Sequence, residues 1–169
     1  MSTTDNQLWE FQFEEVVRWL AKRGYSVVLK SGVDDQIVFD DKTILIDSHD
    51  WPETRFYTLL HEAGHYLLNE IKDSFLEDHP VYPSEVFDKR TERSRKYLVS
   101  MVSEELAAWN KGSRLAKRLD LYINKKKFFD QMTDAVFSYI EVAAAVGTKK
   151  IREKEINKHD IKKGTTAED

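Results

Sequence analysis

The stretch Arg55-Phe56-Tyr57-Thr58-Leu59-Leu60-His61-Glu62-Ala63-Gly64-His65 decides how the rest of the chain is to be understood. It carries His-Glu-x-x-His inside a run that is apolar on most sides. In a helix, residues four apart share a face, so the imidazoles of His61 and His65 can reach one metal ion. Glu62 stands beside that ion without being needed as a ligand and is placed to act as a base on water. Neutral imidazole suits zinc, and a hydrolytic zinc site keeps three protein ligands and one open position. The chain must supply the third ligand from elsewhere.

Upstream, Ser48-His49-Asp50-Trp51-Pro52-Glu53 offers a short polar residue and a proline where a helix begins, and the helix is expected to run to about Asn69. Phe56, Leu59, Leu60, Leu67, Leu68 and Ile71 fall around its whole circumference, which makes it a core helix. Gly64 removes a side chain beside the histidines and permits close approach of another element or of substrate.

Further out, residues 6–23 predict an amphipathic helix with Leu8, Phe11, Val16, Trp19 and Leu20 facing inward and Gly24 at its C-terminal cap. Three β-rich runs follow, Tyr25–Lys30, Gln36–Phe39 and Thr43–Asp47, separated by turn-forming segments. They predict a small antiparallel sheet. Residues 72–90, with Pro80 and Pro83, are expected to form a loop. Long helices are expected over about 91–119 and 125–146, the latter ending at Gly147. The expected fold class is α+β, a three-stranded antiparallel sheet packed on a mainly helical, zincin-like domain over residues 1–147. Residues 148–169 are expected to be a charged C-terminal extension, partly helical or disordered.

Elimination and helical phase narrow the third ligand. A metzincin would need Gly at position 68 and His at position 71, where this chain has Leu68 and Ile71. The chain contains no cysteine, so thiolate ligands are excluded. A carboxylate from a later helix is the other common solution. On a wheel of about 100° per residue, Leu98, Met101, Val102, Trp109, Ala116 and Leu119 form one stripe. Glu105 falls near its middle, and Glu104 lies towards its edge. A carboxylate at the centre of an apolar face needs a compensating charge, and zinc provides one. Glu105 is therefore the expected ligand, with Glu104 the fallback if the phase is shifted. Trp109 and Met101 are expected in the core, and His49 and His79 in loops.

With 169 residues, 41% of them hydrophobic and 33% charged, the chain suits one globular domain with a wet surface. The first residues lack the basic and apolar regions of a secretory signal, and no apolar run reaches membrane-spanning length, so a cytoplasmic location is expected. The net charge of -4 conceals a division. Residues 1–110 hold 12 basic and 21 acidic side chains, a balance of -9, whereas residues 111–163 hold 14 basic and 7 acidic, a balance of +7. Such a split can mark a nucleic-acid or acidic-partner surface, but the basic residues are interleaved with acids and few aromatics, so solvated helix faces are the expected explanation.

These residues together resemble the ImmA/IrrE family of small gluzincin-like metallopeptidases. The family's metal helix typically reads Arg-Phe-Thr-Leu-Ala-His-Glu-Leu-Gly-His, and Arg55-Phe56, Thr58-Leu59 and His61-Glu62-x-Gly64-His65 follow it closely. Glu105-Leu106-Ala107-Ala108 matches the family's later Glu-x-x-Ala, which favours Glu105 over Glu104. The chain departs from the family's following Asn-x-Phe-Ala, having Trp109-Asn110-Lys111-Gly112, and shows no helix-turn-helix partner domain. The resemblance implies a zinc metallopeptidase with His61, His65 and Glu105 as ligands and Glu62 as general base. Its phage and mobile-element branch implies a protein substrate such as a transcriptional repressor. Tyr97, Tyr57 and His79 are candidates for stabilising the oxyanion. The competing expectation is a catalytically weak or inactive zinc-stabilised module that binds a phage or host regulator.

Overall fold

The computed structural model describes the backbone of residues 3–164 and the side chains of residues 5–146. Its elements in chain order are α1 (Thr3–Ala21), β1 (Ser26–Lys30), β2 (Gln36–Val38), β3 (Thr43–Asp47), α2 (Pro52–Asn69), α3 (Lys72–Asp78), α4 (Lys89–Glu92), α5 (Arg95–Arg118) and α6 (Lys125–Gly164). The fold is α+β, with helices dominating and one small sheet.

The helix α2 is the axis of the core. Residues 56–66 are buried without interruption, as its all-round apolar pattern requires. Pro52 begins it, but the cap position is Trp51, whose side chain makes no capping hydrogen bond. On one side α1 lays Trp9, Phe13, Val16, Trp19 and Leu20 against it. This inner stripe is rotated from the expected one: Leu8 and Phe11 are exposed. The rotation seats the Trp9 indole against both Phe56 and Tyr57 and lets Gln12 accept a hydrogen bond from the Tyr122 amide.

The sheet is mixed rather than antiparallel. Two chain reversals leave β1 and β3 pointing the same way, so an antiparallel sheet would need β2 in the middle. Instead the order is β1-β3-β2, with β1 parallel and β2 antiparallel to β3. The reason is burial. Ile44 and Ile46 alternate on the inner face of β3 and are fully enclosed, whereas β1 is largely exposed and β2 has only three residues. The most apolar strand takes the centre, and β2 is left as an edge.

Residues 72–90, expected as a loop, contain α3 and a 3-10 turn at Pro83–Glu85. Phe75 and Tyr82 fold this segment onto Leu68 as a small second core. Asp88 caps α4, and Ser94 accepts a hydrogen bond from the Tyr97 amide, so α5 starts at Arg95 and not at 91. It ends in a left-handed residue, Asp120, and the Leu121 amide reaches back to the Ala116 carbonyl. The helix α6 continues past Gly147 to Gly164, beyond its expected end. The side chains expected to form the charged extension, 148–169, lie outside the described residues. Among the described residues, no helix is long and apolar enough to cross a membrane.

The helices α2 and α5 approach closely, and glycine permits it from both sides. A Cβ on Gly64 would overlap the Ala108 carbonyl oxygen, and one on Gly112 would overlap the Leu60 carbonyl oxygen. Gly112 lies in the segment Trp109-Asn110-Lys111-Gly112 of α5. Its role is to keep the two backbones close. Because both obstructions are backbone atoms, relief requires the helices to separate. Gly112→Ala should cost about 3 kcal/mol, the upper part of the usual overpacking range. For a chain of this size that is a fall of roughly 6–12 °C in thermal midpoint. Unchanged melting followed by circular dichroism would show that the helices can part without loss.

Candidate metal centre

The close approach of α2 and α5 brings Glu105 to His61 and His65. The Glu105 Oε2 lies 3.1 Å from His61 Nε2 and 3.6 Å from His65 Nε2. One ligand atom from each of the three side chains lies within 4.8 Å of the others, and all three residues are buried. Zinc bonds of about 2.0–2.2 Å in a tetrahedron place neighbouring ligand atoms about 3.3 Å apart, a spacing this cluster brackets. Among the described residues, the buried His61 Nε2 and Glu105 Oε2 atoms make no aligned hydrogen bond, although they lie 3.1 Å apart. Two unsatisfied atoms this deep are costly unless something between them engages both. Residue chemistry, spacing and these orphaned atoms all fit a zinc ion held by His61, His65 and Glu105.

The opposite edges of the imidazoles face carboxylates. His61 Nδ1 is 3.4 Å from Glu62, and His65 Nδ1 is 3.7 Å from Glu104. Such partners leave the Nε2 edges facing Glu105. Trp109 stacks on His61 with ring centroids 4.5 Å apart and planes 9° from parallel. It is a core residue, as expected, and one that also holds the His61 ring in place. Glu104 is more deeply enclosed than helical phase implied, because the 3-10 turn covers it and Ser84 donates a hydrogen bond to it. The structure thus separates the two glutamates: Glu105 joins the histidine Nε2 atoms, and Glu104 lies behind His65.

Charges reinforce this arrangement. Burial disfavours a positive imidazole, but Glu105 and Glu62 outweigh it and hold His61 above its ordinary pKa. Burial is likewise overcome at His65, which Glu104, Glu105 and Glu62 push up to about 10. Glu105 is drawn down to about 2 by the two histidines despite its burial. The centre is built to surround positive charge.

A cleft of about 470 Å³ opens over these residues. Glu62 lines it, together with Asp35 and Asp50 from the sheet side and Gln36 and Ile37 of the edge strand β2. Asp35 has its carboxyl raised by burial and by the nearby charges of Asp50, Glu62 and Asp47, against the lowering effect of the Asp47 amide. From the other wall α6 contributes Gln131, Ala135 and Tyr139. The Tyr139 phenol is pushed well above its usual pKa by burial and then by Glu105, Glu62 and Glu104. It is a neutral donor on the cleft wall near Glu105.

Tyr139 was not among the residues expected at the site. A signal existed: Phe128, Gln131, Met132, Ala135 and Tyr139 make one helical stripe in which two polar residues interrupt apolar ones. The expected oxyanion candidates sit elsewhere. Tyr57 is enclosed in the core, donating to Glu53 and accepting from the Asn124 amide. His79 caps α3 and stacks on Phe75. Tyr97 feels the charges of Glu104 and Glu105 but does not line the cleft. His49 is an exposed turn residue beside Asp47 and Ser31.

Comparison of the chain with protein-family models, with curated proteins and with solved structures finds no match. The site therefore has to be tested on its own chemistry. Elemental analysis of the purified chain should find one zinc per molecule. Glu105→Ala should abolish it. Glu104→Ala should keep the stoichiometry and weaken affinity by about 10–100-fold in competition with a chelator. Equal losses from both substitutions would contradict the separation of their roles.

Proposed function

We propose that the protein is a zinc-dependent peptidase. The observation that carries this reading is the convergence of His61, His65 and Glu105 on one point, with Glu62 beside it at the floor of an open cleft. Zinc held there supplies Lewis acidity, which lowers the pKa of water and polarises a carbonyl. Glu62 takes the proton of the attacking water on a carboxylate oxygen and returns it to the nitrogen of the departing amine. Tyr139 donates its phenolic proton in a hydrogen bond to the carbonyl oxygen as that oxygen gains negative charge. Its raised pKa keeps that proton in place at neutral pH.

The wall of the cleft suits an extended peptide. The edge strand β2 bears an unpaired backbone edge, and adding a substrate strand there satisfies main-chain groups on both partners. The resemblance of the metal helix and of Glu105-Leu106-Ala107-Ala108 to ImmA/IrrE peptidases supports the same chemistry. It also favours a regulatory role in a phage or mobile element, in which the substrate is a repressor and the site of action is the cytoplasm.

New peptide termini, read by mass spectrometry after incubation with a proteome-derived peptide mixture, provide an assay that needs no known substrate. Zinc-loaded wild type should generate them. Glu62→Gln should retain zinc and lose activity by about 10²-fold or more. Tyr139→Phe should lower kcat by about 10²–10³-fold with little change in KM. Full activity in Glu62→Gln would overturn the mechanism. A zinc-loaded wild type that cleaves nothing would instead favour the regulator-binding module.

A further inference from the structure

The charge division of the sequence has a local counterpart on the side of α2 away from the metal. There the end of α1 and the last turns of α5 enclose a hollow of about 340 Å³. It shares no lining residue with the metal cleft. Four cations border it: Arg23 from the turn after α1, and Lys111, Arg114 and Arg118 from α5. Among the described residues, none of the four has a carboxylate within 4.0 Å.

The arrangement is unfavourable by itself. Lys111 and Arg114 are three apart on one helix and Arg114 and Arg118 four apart, so like charges are neighbours. Burial and then Arg114 pull the Lys111 ammonium below its ordinary pKa. A helix C-terminus attracts cations, which accounts for Arg118 in the last turn. That attraction fades within a turn, so it does not account for Lys111, and Arg23 belongs to another element. Arg23 is also held in position: it donates to the Trp19 carbonyl at 2.9 Å and lies 3.8 Å above the Trp19 ring. Arg118 lies 5.6 Å from the same ring. Two guanidinium groups are thus set against one buried indole at the rim of the hollow, with no carboxylate within 4.0 Å of either among the described residues.

The rest of the lining narrows the ligand. Leu67, Ile71 and Leu115 are apolar, and Tyr66 adds a ring. The one acid is Glu70, one turn along α2 from Tyr66 and close enough to raise its phenol, after burial and against the opposing effect of Arg23. A bare inorganic anion would leave the apolar part unused and meet Glu70 as a repulsive charge. A nucleic-acid strand needs an extended groove, and this hollow is at the small end of the range for small-molecule sites.

We propose that it binds a small nucleoside phosphate. The phosphates pair with the arginine forks and Lys111, the base lies on Tyr66 and the aliphatic residues, and Glu70 accepts hydrogen bonds from sugar hydroxyls. The proposal is independent of the peptidase reading.

Isothermal titration of the full chain, kept metal-free with a chelator so that phosphates cannot bind at the histidine site, tests it. AMP and ADP should bind, and pyrophosphate and adenosine should each bind at least about tenfold more weakly, since each lacks half of the contacts. Arg114→Glu, at an exposed position, should abolish binding while circular dichroism stays unchanged. Glu70→Gln should weaken AMP and tighten pyrophosphate. No binding at millimolar nucleotide would overturn the proposal. So would nucleotide binding indifferent to Arg114→Glu, pyrophosphate binding as tightly as ADP, or preference for an Asp- and Glu-rich peptide over both.

Discussion

Everything at the candidate metal centre depends on the distance between the backbones of α2 and α5. Two glycines set it, one on each helix, each resting where a carbonyl of the other helix leaves no space for a methyl group. A glutamate side chain is short compared with the diameter of a helix. At an ordinary interhelical separation, with side chains interleaved, Glu105 would not come within 3.1 Å of one histidine and 3.6 Å of the other. Gly64 and Gly112 each carry the cost of glycine in a helix interior in exchange for that proximity.

The same approach creates an electrostatic problem that the surroundings answer. Glu62, Glu104 and Glu105 are buried, each within 3.7 Å of a nitrogen of one of two imidazoles. Carboxylates so placed are tolerated only near positive charge. Their orientation suits a central cation, with Nε2 edges inward and Nδ1 edges towards Glu62 and Glu104. Trp109 and the segment around Ser84 close the back of the site. The sheet and α6 leave the front open, and Tyr139 enters from α6.

Much of this is legible in the residues themselves. His61 and His65 share a face because the helical period places them there, and the all-apolar circumference of α2 announces a buried helix. The wheel of α5 points to Glu105 for the same reason. What the wheel misjudges is Glu104. Its burial comes from a segment twenty residues earlier in the chain folding over α5, and periodicity within one helix carries no information about such a cover. The sheet order is missed for a related reason: alternation shows which face of a strand is buried but not which strand is central. The inner stripe of α1 also turns away from the expected one, because Trp9 finds the rings of Phe56 and Tyr57, far along the chain.

By itself, then, the sequence determined the local chemistry: two histidines and a glutamate on one helix, a carboxylate on another, no thiolate, and a basic stretch over residues 111–163. These follow from residue type and the helical period, both properties of short stretches. Only the tertiary structure decided the glycine-mediated distance that brings the three residues together, and the cover that buries Glu104 behind His65. It also brought Tyr139 into the cleft and gathered Arg23 with Lys111, Arg114 and Arg118 around one hollow. Each of these joins residues from different elements, and their separation depends on how whole helices pack, a quantity no local pattern encodes.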